Sequence, residues 1–600
     1  MTPRARFDDL RPRSRRSFSL DGFRDVLVAS TPDQVKGVIA EAERQVAAGR
    51  WVAGFVTYEA APAFDRAFDV RSTAGSDVED LPLAWFGIFE RRRPTPPHPR
   101  TDSAIGRWDP SIDEAAHADG VRRIRAAIRG GDTYQVNYTF RMSADFGGDA
   151  ESLYLDLIEG QSCGYGSFID TGPWVVASAS PELFFEWRHA RLVSRPMKGT
   201  APRGLDLDDD EAHRSALVHS DKERAENLMI VDMVRNDMGR IARTGTVAVP
   251  AIFTTEKYDT VWQLTSTVTS EPRAGTGLVD VFEALFPCAS ITGAPKVATM
   301  QIISELESTP RGVYCGAVGY GGPRPAGPEW AFNVAIRTVT IDRTRGVASY
   351  GTGGGVTYDS TAGGEYGEAL LKARVLDRRT TRFSLLETMR WSPRHGYRNL
   401  TAHVARLIRS AWYFDVPVDP AEVRSALDTA VRGADGDQRV RLLVARTGRI
   451  STETSTAPFP ATPVRLAVDA ARIDPGDPML RHKTTERTLY ESAAARYADA
   501  DDVILVTIDG LIADTTIATL CIEVDGIWVT PPVSDGALPG VARQLLLEAR
   551  RINERSITVE ELRSATRLAR VNSLRGWEDA VLIDSPDESH PVNHPLRRRR

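Results

Sequence analysis

Short apolar runs alternate with amphipathic stretches through the first 377 residues of the chain. The apolar runs predict strands at 51–60, 81–90, 167–170, 174–180, 190–196, 312–322, 329–342 and 346–356. Between residues 112 and 132 apolar residues recur every three or four positions and stop at Gly130 and Gly131, which predicts a helix. Two further helices are predicted at 220–238 and 364–377. This mixture predicts a large α+β domain at residues 1–377, with a proline-rich loop near 91–100.

The strand and helix rhythm begins again at Phe383, after a polar, basic join at 378–382. A strand is predicted at 383–391, a helix at 401–414 and a strand at 439–447. We therefore expect a second, α/β domain over residues 383–585. The segment 586–600 is polar and basic and contains proline, so we expect it to be a disordered tail.

Composition narrows the class of protein. The 600 residues are too many for one ordinary core, and the net charge of −6 excludes binding to nucleic acid through bulk positive charge. There is no apolar stretch of about 18 residues to cross a membrane, and no apolar run follows the arginine-rich N-terminus as in a secretory signal. Four scattered cysteines form no metal or disulfide pattern. We expect a cytoplasmic enzyme.

Lysine is scarce in this chain. Only seven of its 75 basic residues are lysines, at positions 36, 198, 222, 257, 296, 372 and 483. An amine can lose its proton and act as a nucleophile, whereas arginine cannot. The retained lysines are therefore candidates for chemistry, although some of them are expected to be ordinary surface residues.

Two pairs of glutamates have the spacing of neighbours on one helix face. Glu223 and Glu226 lie in the helix predicted at 220–238, and Glu365 and Glu368 lie in the helix at 364–377. Carboxylate oxygens suit Mg²⁺, which usually keeps water or substrate oxygens as well. The alternative is that both pairs lie on solvated helix faces.

Glycine-rich turns and one arginine are candidates for binding small carboxylates. The turns at 290–296, 312–322 and 350–360 allow close backbone approach and leave N–H groups free. Arg337 lies in what the pattern predicts to be an apolar strand, and a buried arginine needs an anion. That anion could be a substrate carboxylate or an acidic side chain of the protein in an internal salt bridge.

A series of motifs is more specific than any one of these features. They are, in order, SPELFF, RPMKGTAPRG, AENLMIVDMVRNDMGR, FPCASITGAPK, RGVYCGAVGY, FNVAIRT and a GGG…EYGE stretch. The series resembles the chorismate-utilising enzymes, which include anthranilate, aminodeoxychorismate, isochorismate and salicylate synthases. It covers roughly residues 50–377 and implies an active site between two β-sheets, Mg²⁺ dependence and chorismate as substrate.

The resemblance also implies roles for individual residues. Glu226 and Glu368 match the Mg²⁺ ligands, and Glu223 and Glu365 support them. The positions that match the carboxylate-binding set are Thr292, Gly293, Tyr314, Arg337 and Gly355.

Two positions favour the aminodeoxychorismate synthase branch. Lys198 stands where anthranilate synthases carry alanine, and its amine would attack C2 of chorismate before ammonia adds at C4. Glu182 resembles the acid that protonates the departing hydroxyl group. Gln135 stands where the water-using synthases carry a lysine base, and Gln263 where anthranilate synthases carry histidine.

The source of the ammonia is implied by what the sequence lacks. No G-x-C-x-G-x-Q elbow of a glutamine amidotransferase occurs in the chain. Cys163 and Cys315 lack that context and are expected to be core residues. A separate glutaminase subunit is therefore expected to supply ammonia.

The second domain resembles the fold-type IV pyridoxal-phosphate enzymes, such as aminodeoxychorismate lyase and the branched-chain aminotransferases. The motifs that carry this are FSLLETMRW, HVARLIRSAWYF, RHKTTER, DDVILVTIDGLIADTT, DGALPGVARQLLLE and VNSLRGWEDAVLID. Lys483 resembles the Schiff-base lysine and Arg406 the phosphate-binding arginine. The phosphate cup would be completed by the backbone of Gly540, Val541 and Ala542.

Three positions depart from the pattern of that second family. Asp514 replaces the usual glutamate at the pyridine nitrogen, Ala518-Thr519 replaces Ser-Asn, and Ala542 replaces a common threonine. The two resemblances together imply synthesis of 4-amino-4-deoxychorismate followed by pyruvate elimination to 4-aminobenzoate, the folate precursor. The alternatives are an anthranilate synthase component, a second domain that is a non-catalytic scaffold, and a specialised antibiotic pathway that uses the same intermediate.

Overall fold

The computed structural model describes residues 2–11, 16–96, 98–101, 104–161, 163–323, 330–376, 383–457 and 463–583. Contacts divide the chain into two compact units, Met1–Arg203 with His213–Thr380, and Gly204–Ala212 with Thr381–Arg600. The sequence pattern did not predict that residues 204–212 group with the second unit. The expected linker at 378–382 and the expected tail at 586–600 lie outside the described residues. Within the described ranges, no helix has the length and apolar character of a membrane span.

The chain up to residue 376 contains eighteen described strands and eight described α-helices. The strands are β1 Arg4–Asp9, β2 Arg16–Ala29, β3 Trp51–Val56, β4 Ala84–Pro94, β5 Asp109–Pro110, β6 Gln135–Asp145, β7 Tyr165–Asp170, β8 Trp174–Ser180, β9 Leu183–Arg188, β10 Arg191–Arg195, β11 Met197–Pro202, β12 Ala248–Lys257, β13 Val261–Ser270, β14 Gly293–Ala294, β15 Ala317–Gly321, β16 Trp330–Val334, β17 Thr338–Asp342 and β18 Val347–Val356. The helices are α1 Pro32–Ala47, α2 Glu114–Gly130, α3 Ala150–Glu159, α4 Leu207–His219, α5 Asp221–Gly239, α6 Leu278–Leu285, α7 Lys296–Leu306 and α8 Ala362–Ala373.

The strands of the first unit form one continuous antiparallel sheet that folds back on itself. One half runs through β6, β18, β17, β8 and β7, and the other runs through β2, β4, β3, β15, β16, β9, β10 and β13. The strand β1 pairs with β7 and with β2 and so joins the halves. Phe55 and Trp85 of one half share a core with Ile169 and Val176 of the other, so the two halves pack face to face. The α+β class is confirmed, and the two expected sheets are halves of one sheet.

The helices cover the outer faces of this sheet. Helices α1, α5 and α6 bury apolar residues such as Ile39, Ile230 and Phe282 in a core shared with β3, β4 and β16. Helices α3 and α8 pack on the other half, where Leu153 and Ala369 contact the β6, β8 and β17 residues. The burial of these apolar faces supplies the main driving force for folding of the domain.

The predicted helices of the first unit are confirmed, with clear physical starts and stops. Asp113 caps α2 by accepting a 2.8 Å hydrogen bond from the amide of Ala116, and Gly131 ends the helix in the left-handed conformation at φ 86°. Ser220 caps α5 by accepting a bond from the amide of Glu223. All four cysteines are buried and free, as expected for Cys163 and Cys315.

Three local predictions are wrong in detail. The loop near 91–100 begins only after Pro94, because residues 91–94 pair with residues 18–21 of β2. The strand predicted at 329–342 is broken at Arg337, which takes φ 50° between β16 and β17. The strand predicted at 312–322 starts at Ala317, because the 312–316 segment turns, with Cys315 at φ 64°.

The second unit combines a small antiparallel sheet with a mixed one. Its strands are β19 Ser384–Ser392, β20 Gly396–Tyr397, β21 Gln438–Ala445, β22 Ile450–Thr456, β23 Val464–Ile473, β24 Asp502–Thr507, β25 Ile512–Thr515, β26 Thr519–Val524, β27 Ile527–Thr530, β28 Asn553–Glu554, β29 Arg567–Asn572 and β30 Gly576–Leu582. Its helices are α9 Leu400–Tyr413, α10 Pro420–Ala430, α11 Thr488–Arg496, α12 Val541–Glu548 and α13 Val559–Ser564. The strand orders are β20-β19-β21-β22 and β25-β24-β23-β30-β29-β26-β27-β28.

Candidate active sites

In the first unit, Lys198 projects from β11 toward an acidic side chain of α5. Its Nζ atom lies 3.5 Å from Oε2 of Glu226, and both side chains are largely buried. Asn227, the next residue of α5, donates a 3.0 Å hydrogen bond to the carbonyl of Lys198. Ser266 of β13 in turn donates to Asn227 at 2.6 Å. The backbone that carries Lys198 is therefore fixed to both α5 and β13.

Glu182 is a buried acid next to this lysine. Its Oε1 accepts a 2.7 Å hydrogen bond from the hydroxyl of Ser290, and the backbone amide of Met197 also donates to it. Burial raises the pKa of Glu182 to about 7, although the Ser290 bond and the charge of Lys198 act in the opposite direction. A carboxyl group with this pKa can both give and take a proton near neutral pH.

Gly355 of β18 forms one wall of the Lys198 site. A Cβ atom at this position would lie 2.3 Å from Nζ of Lys198 and 2.5 Å from Nε2 of Gln135, so a side chain there would displace both groups. Both polar side-chain atoms of Gln135 are buried and lack a partner among the described residues. Such unpaired buried atoms are costly unless a ligand binds them. The site thus has polar groups available for a substrate.

Thr292 and Gly293 lie against the same end of β6. The Thr292 carbonyl accepts a 2.7 Å bond from the amide of Asn137, and its hydroxyl donates to the carbonyl of Cys288 at 3.0 Å. A Cβ on Gly293, which has φ 146°, would lie 2.0 Å from the carbonyl oxygen of Gln135. The close approach of two backbones explains this glycine.

The four predicted metal ligands come from two helices, with Glu223 and Glu226 on α5 and Glu365 and Glu368 on α8. Burial and then repulsion from Glu226 raise the pKa of Glu223. Burial and repulsion from Glu368 likewise raise the pKa of Glu365, against a bond from Ser360. A Cβ at Gly354 would lie 3.2 Å from Glu365 Oε2 and 3.9 Å from Glu368 Oε1. The two glutamates of each helix therefore repel each other electrostatically.

Two lysines lie beside acids of this cluster, Lys198 beside Glu226 and Lys372 beside Glu368. Lys372 Nζ lies 2.8 Å from Glu368 and donates a 3.0 Å bond to the carbonyl of Gly353. Among the described residues, no three His, Cys, Asp or Glu side chains are arranged closely enough to hold a metal ion. Carboxylate oxygens are nevertheless the hard donors that Mg²⁺ prefers, so the four glutamates fit this ion in their chemistry.

Arg337 and Tyr314 lie deeper in the first unit. The Arg337 side chain donates to Oε1 of Gln161, and its guanidinium lies 5.7 Å from the ring centre of Tyr258. Among the described residues it forms no ion pair, so the internal salt bridge that the sequence left open is not present there. Burial lowers the pKa of Arg337 for lack of a counter-charge.

Tyr314 lines a larger cavity of about 1080 Å³ that does not contain Lys198, Glu182 or Arg337. Its ring lies 4.7 Å from the guanidinium of Arg141, and a Cβ at Gly351 would lie 2.3 Å from it. Burial raises the pKa of Tyr314 well above its usual range, so this side chain is neutral. The amine of Lys198, the acid Glu182 and the unpaired amide of Gln135 lie outside this cavity.

In the second unit, a cavity of about 250 Å³ gathers the predicted cofactor residues. Lys483, Arg406, Asp514, Gly540, Val541 and Ala542 all line it. Burial, with the nearby Arg406 charge, lowers the pKa of Lys483 to about 8. Burial raises the pKa of Asp514 to about 7, despite bonds from the amides of Thr515, Leu520 and Leu538.

Arg406 is held by an acid that the sequence analysis did not single out. Glu387 accepts bonds of 2.8 and 2.6 Å from the Arg406 guanidinium and a 2.7 Å bond with Nδ1 of His403. Burial alone would raise the pKa of Glu387, but the Arg406 charge and these bonds hold it at about 2. His403 also bonds Ser573 at 2.7 Å. The sequence signal that could have identified Glu387 is its position as the single acid in the apolar run FSLLETMRW.

The same cavity fits pyridoxal phosphate. Gly540 caps the N-terminus of α12, whose first amides have no partner within the helix. A Cβ at Gly540 would lie 3.1 Å from the hydroxyl of Thr519, so this hydroxyl also faces the phosphate end. An amine, a buried acid and an anion-binding helix end around one cavity are the groups that this cofactor requires.

Comparison with known proteins agrees with the two-part geometry. A family model described as chorismate binding enzyme matches residues 13–378, and one described as amino-transferase class IV matches residues 384–582. Aminodeoxychorismate synthase component 1 of Bacillus subtilis is 36% identical over 51% of this chain and 64% of its own length. The same component of Salmonella typhimurium is 35% identical over 53% of this chain and 68% of its own length.

A solved structure from Bacillus anthracis, assigned as a 2,3-dihydroxybenzoate-specific isochorismate synthase, has a TM-score of 0.50 at 18% identity. It covers 62% of this chain and 95% of that one. At this identity the likeness concerns the fold alone. The chain spans less than two thirds of the length of the Bacillus subtilis relative.

Proposed function

Because the chain belongs to the family of chorismate binding enzymes and continues into a class IV amino-transferase domain, we propose a two-step enzyme. The first domain converts chorismate and ammonia to 4-amino-4-deoxychorismate, and the second eliminates pyruvate to give 4-aminobenzoate for folate biosynthesis. The observation that supports the first step is the position of the Lys198 amine. It lies beside Glu226 and the Gly355 backbone, and its charge acts on Glu182.

In the proposed first step, the unprotonated amine of Lys198 forms a bond to C2 of chorismate. The ring double bond shifts and the C4–O bond breaks, and Glu182 gives its proton to the departing hydroxyl, which leaves as water. Ammonia then forms a bond to C4, the double bond shifts back, and the Lys198–C2 bond breaks. The balance is chorismate plus ammonia to 4-amino-4-deoxychorismate plus water.

We propose that the substrate is oriented by polar groups that lack hydrogen-bond or ion-pair partners among the described residues. Arg337 has no carboxylate partner among the described residues, so a substrate carboxylate would supply its missing counter-charge. The unpaired amide of Gln135 and the Gly355 backbone lie beside Lys198, and the Gly293 backbone lies against that of Gln135. We propose that Thr292 and Tyr314 complete this set.

Mg²⁺ is proposed at the glutamates of α5 and α8. Glu226 and Glu368 would bind it, with Glu223 and Glu365 behind them, and the lysines that now neutralise two of these acids would move aside. Bound there, the ion would supply positive charge for a substrate carboxylate. The raised pKa values of Glu223 and Glu365 support this, because acids that repel one another bind a cation readily.

In the second domain, Lys483 is proposed to hold pyridoxal phosphate covalently and to remove the proton from the ring carbon that bears the amino group. The cofactor supplies the electron sink when it is bound. Asp514 would bond the pyridine nitrogen, and Arg406 with the α12 amides would hold the phosphate. Since Glu387 fixes Arg406 from behind, the phosphate end of the cavity is pre-organised.

The ammonia is proposed to come from a separate glutaminase subunit. The relatives are named component 1, which supports a partner, and the chain lacks the cysteine elbow of a glutamine amidotransferase. With ammonium salts supplied directly, the chain alone should therefore turn over.

Product analysis tests the proposal. The purified protein is incubated with chorismate, ammonium, Mg²⁺ and pyridoxal phosphate, and products are separated by mass and retention time. The expected products are 4-aminobenzoate and pyruvate. Anthranilate as the product would overturn the assignment of the first domain, and 4-amino-4-deoxychorismate without pyruvate would make the second domain a scaffold.

A further inference from the structure

The cavity around Lys483 has a second feature that the cofactor does not account for, a strongly basic wall. Strand β21 alternates between two environments. Val440, Leu442 and Val444 are buried in the apolar core, while Arg439 and Arg441 on the opposite face line the cavity. An amino acid with an apolar side chain would bring a single carboxylate to these arginines, whereas a dicarboxylic amine would bring two.

Arg439 stands out because it has no partner. Its Nε atom is buried without a hydrogen-bond acceptor, and among the described residues its side chain forms no ion pair. Arg441, by contrast, donates a 2.8 Å bond to Glu453 of the neighbouring strand. Two arginines on one strand face therefore differ in whether the protein itself supplies their counter-charge.

Arg575 is a second arginine of this kind in the same cavity lining. It lies in the turn between β29 and β30, where Oδ1 of Asn572 accepts a 2.8 Å bond from its backbone amide. Its Nε atom is also buried without a partner, and it feels the charges of Arg570, Glu578, Asp502 and Arg439. The turn is rigid, since Ser573 bonds both His403 and Asn399.

Both arginines are partly exposed to the cavity that they line, and the Nε atom of each is buried without an acceptor. Two like charges on one cavity wall favour the binding of anions there. The cofactor phosphate is already served by Arg406 and the amides of α12. We propose that Arg439 and Arg575 bind the carboxylates of a dicarboxylic amine and thereby select this substrate class over amino acids with apolar side chains. This inference rests on the proposed lyase function, whose substrate carries one carboxylate on the ring and one on the enolpyruvyl group.

Ligand binding to the full-length protein loaded with pyridoxal phosphate tests this selection. The probe is 3-(carboxymethoxy)benzoate, which carries two carboxylates but no reactive amine, and 3-methoxybenzoate is the matched monocarboxylate. The change in visible absorbance of the bound cofactor reports binding at this cavity alone. We expect the dicarboxylate to bind at least about tenfold more tightly, since a hydrogen bond to a charged group is worth roughly that factor or more.

The variants are Arg439→Gln and Arg575→Gln, with Arg449→Gln as the control. Each of the first two should weaken dicarboxylate binding about 10- to 100-fold and raise KM for pyruvate release, with kcat and cofactor retention largely kept. The control should change binding less than about threefold, because Arg449 is exposed and does not line the cavity. Arg439→Lys and Arg575→Lys, which keep the charge, should recover part of the affinity.

The outcomes separate this inference from the lyase proposal. Wild-type dicarboxylate affinity in both glutamine variants overturns the inference even if pyruvate forms normally. Selective dicarboxylate binding that the variants lose supports it even if no pyruvate is released. Should the protein not retain cofactor, calorimetric titration of the wild type and the variants gives the same comparison, and equal affinities would again overturn the inference.

Discussion

The hydroxyl of Ser290 donates a 2.7 Å hydrogen bond to Oε1 of Glu182, in a setting where Glu182 is only 2% exposed. Burial raises the pKa of this carboxyl group to about 7, and the Ser290 bond holds it from rising further. The pair therefore keeps an acid that is poised at neutral pH within reach of Lys198.

Replacing Glu182 by glutamine should stabilise the protein at alkaline pH while it abolishes most turnover. The folded pKa of about 7 lies above the ordinary value of 4.5, so the stability contributed by the protonated acid is lost as pH rises from about 5 through 7. Glutamine cannot ionise, and above pH 7 the variant should gain of the order of 1–3 kcal/mol in free energy of unfolding. Urea unfolding at pH 5 and pH 8 measures this difference, and activity should fall about 10²- to 10⁴-fold.

Ser290→Ala is the matched control for that pair. Loss of the hydrogen bond removes a group that favours the ionised acid, so the pKa of Glu182 should rise. In this variant, the alkaline limb of the pH–rate profile for chorismate consumption should shift to higher pH. A limb that stays in place, or an equal gain in stability of Glu182→Gln at pH 5 and pH 8, would contradict the assigned pKa.

Lys198→Ala should abolish formation of 4-amino-4-deoxychorismate with ammonium as the nitrogen source, because the attacking amine is removed. Lys198→Arg keeps the positive charge beside Glu226 but cannot attack, so it should be equally inactive. Product analysis by mass distinguishes loss of activity from a switch to anthranilate. Activity at the wild-type level in either variant would rule out the covalent route.

Glu226→Gln and Glu368→Gln should each lose Mg²⁺-dependent turnover at least about tenfold while the protein stays folded. The measurement is chorismate consumption against Mg²⁺ concentration, with circular dichroism as the folding check. Glu283→Gln is the control, since Glu283 lies on α6 and pairs with Lys36 at 2.6 Å. Unchanged Mg²⁺ dependence in both α5 and α8 variants would remove these glutamates from the metal site.

Lys483→Ala should stop pyruvate release and let 4-amino-4-deoxychorismate accumulate, because the first site does not use this residue. In the wild type, attachment of pyridoxal phosphate should accelerate as pH rises toward about 8 and level off above it. The lowered pKa of Lys483 provides the reacting free amine in that range. Visible absorbance after mixing follows this rate. An attachment rate still climbing beyond pH 9 would indicate an ordinary, exposed lysine.

Some of the site could be predicted because a few residue types carry strong local signals. The scarcity of lysine directed attention to Lys198 and Lys483, and both line cavities or clusters with charged partners. The helical spacing in α2 and α5 follows from a periodicity that neighbours cannot easily override.

Long-range partners were not predictable from these signals. The partner of Arg406 is Glu387, nineteen residues earlier on another element, and nothing local links the two. Arg337 was expected within a strand, but its left-handed conformation depends on where β17 must meet β8. Strand β12 has no fully buried position, and its place is set by pairing with β13, which in turn pairs with β10 and β11.

The strand order of the first domain also determines when its strands can pair during synthesis on the ribosome. β6 has left the ribosomal tunnel long before β18, its partner about 200 residues later, has been synthesised. β1 likewise waits for β7 before the junction between the halves can close. The nascent domain thus exposes unpaired strand edges for most of its synthesis, which is the condition under which chaperones bind and aggregation competes with folding.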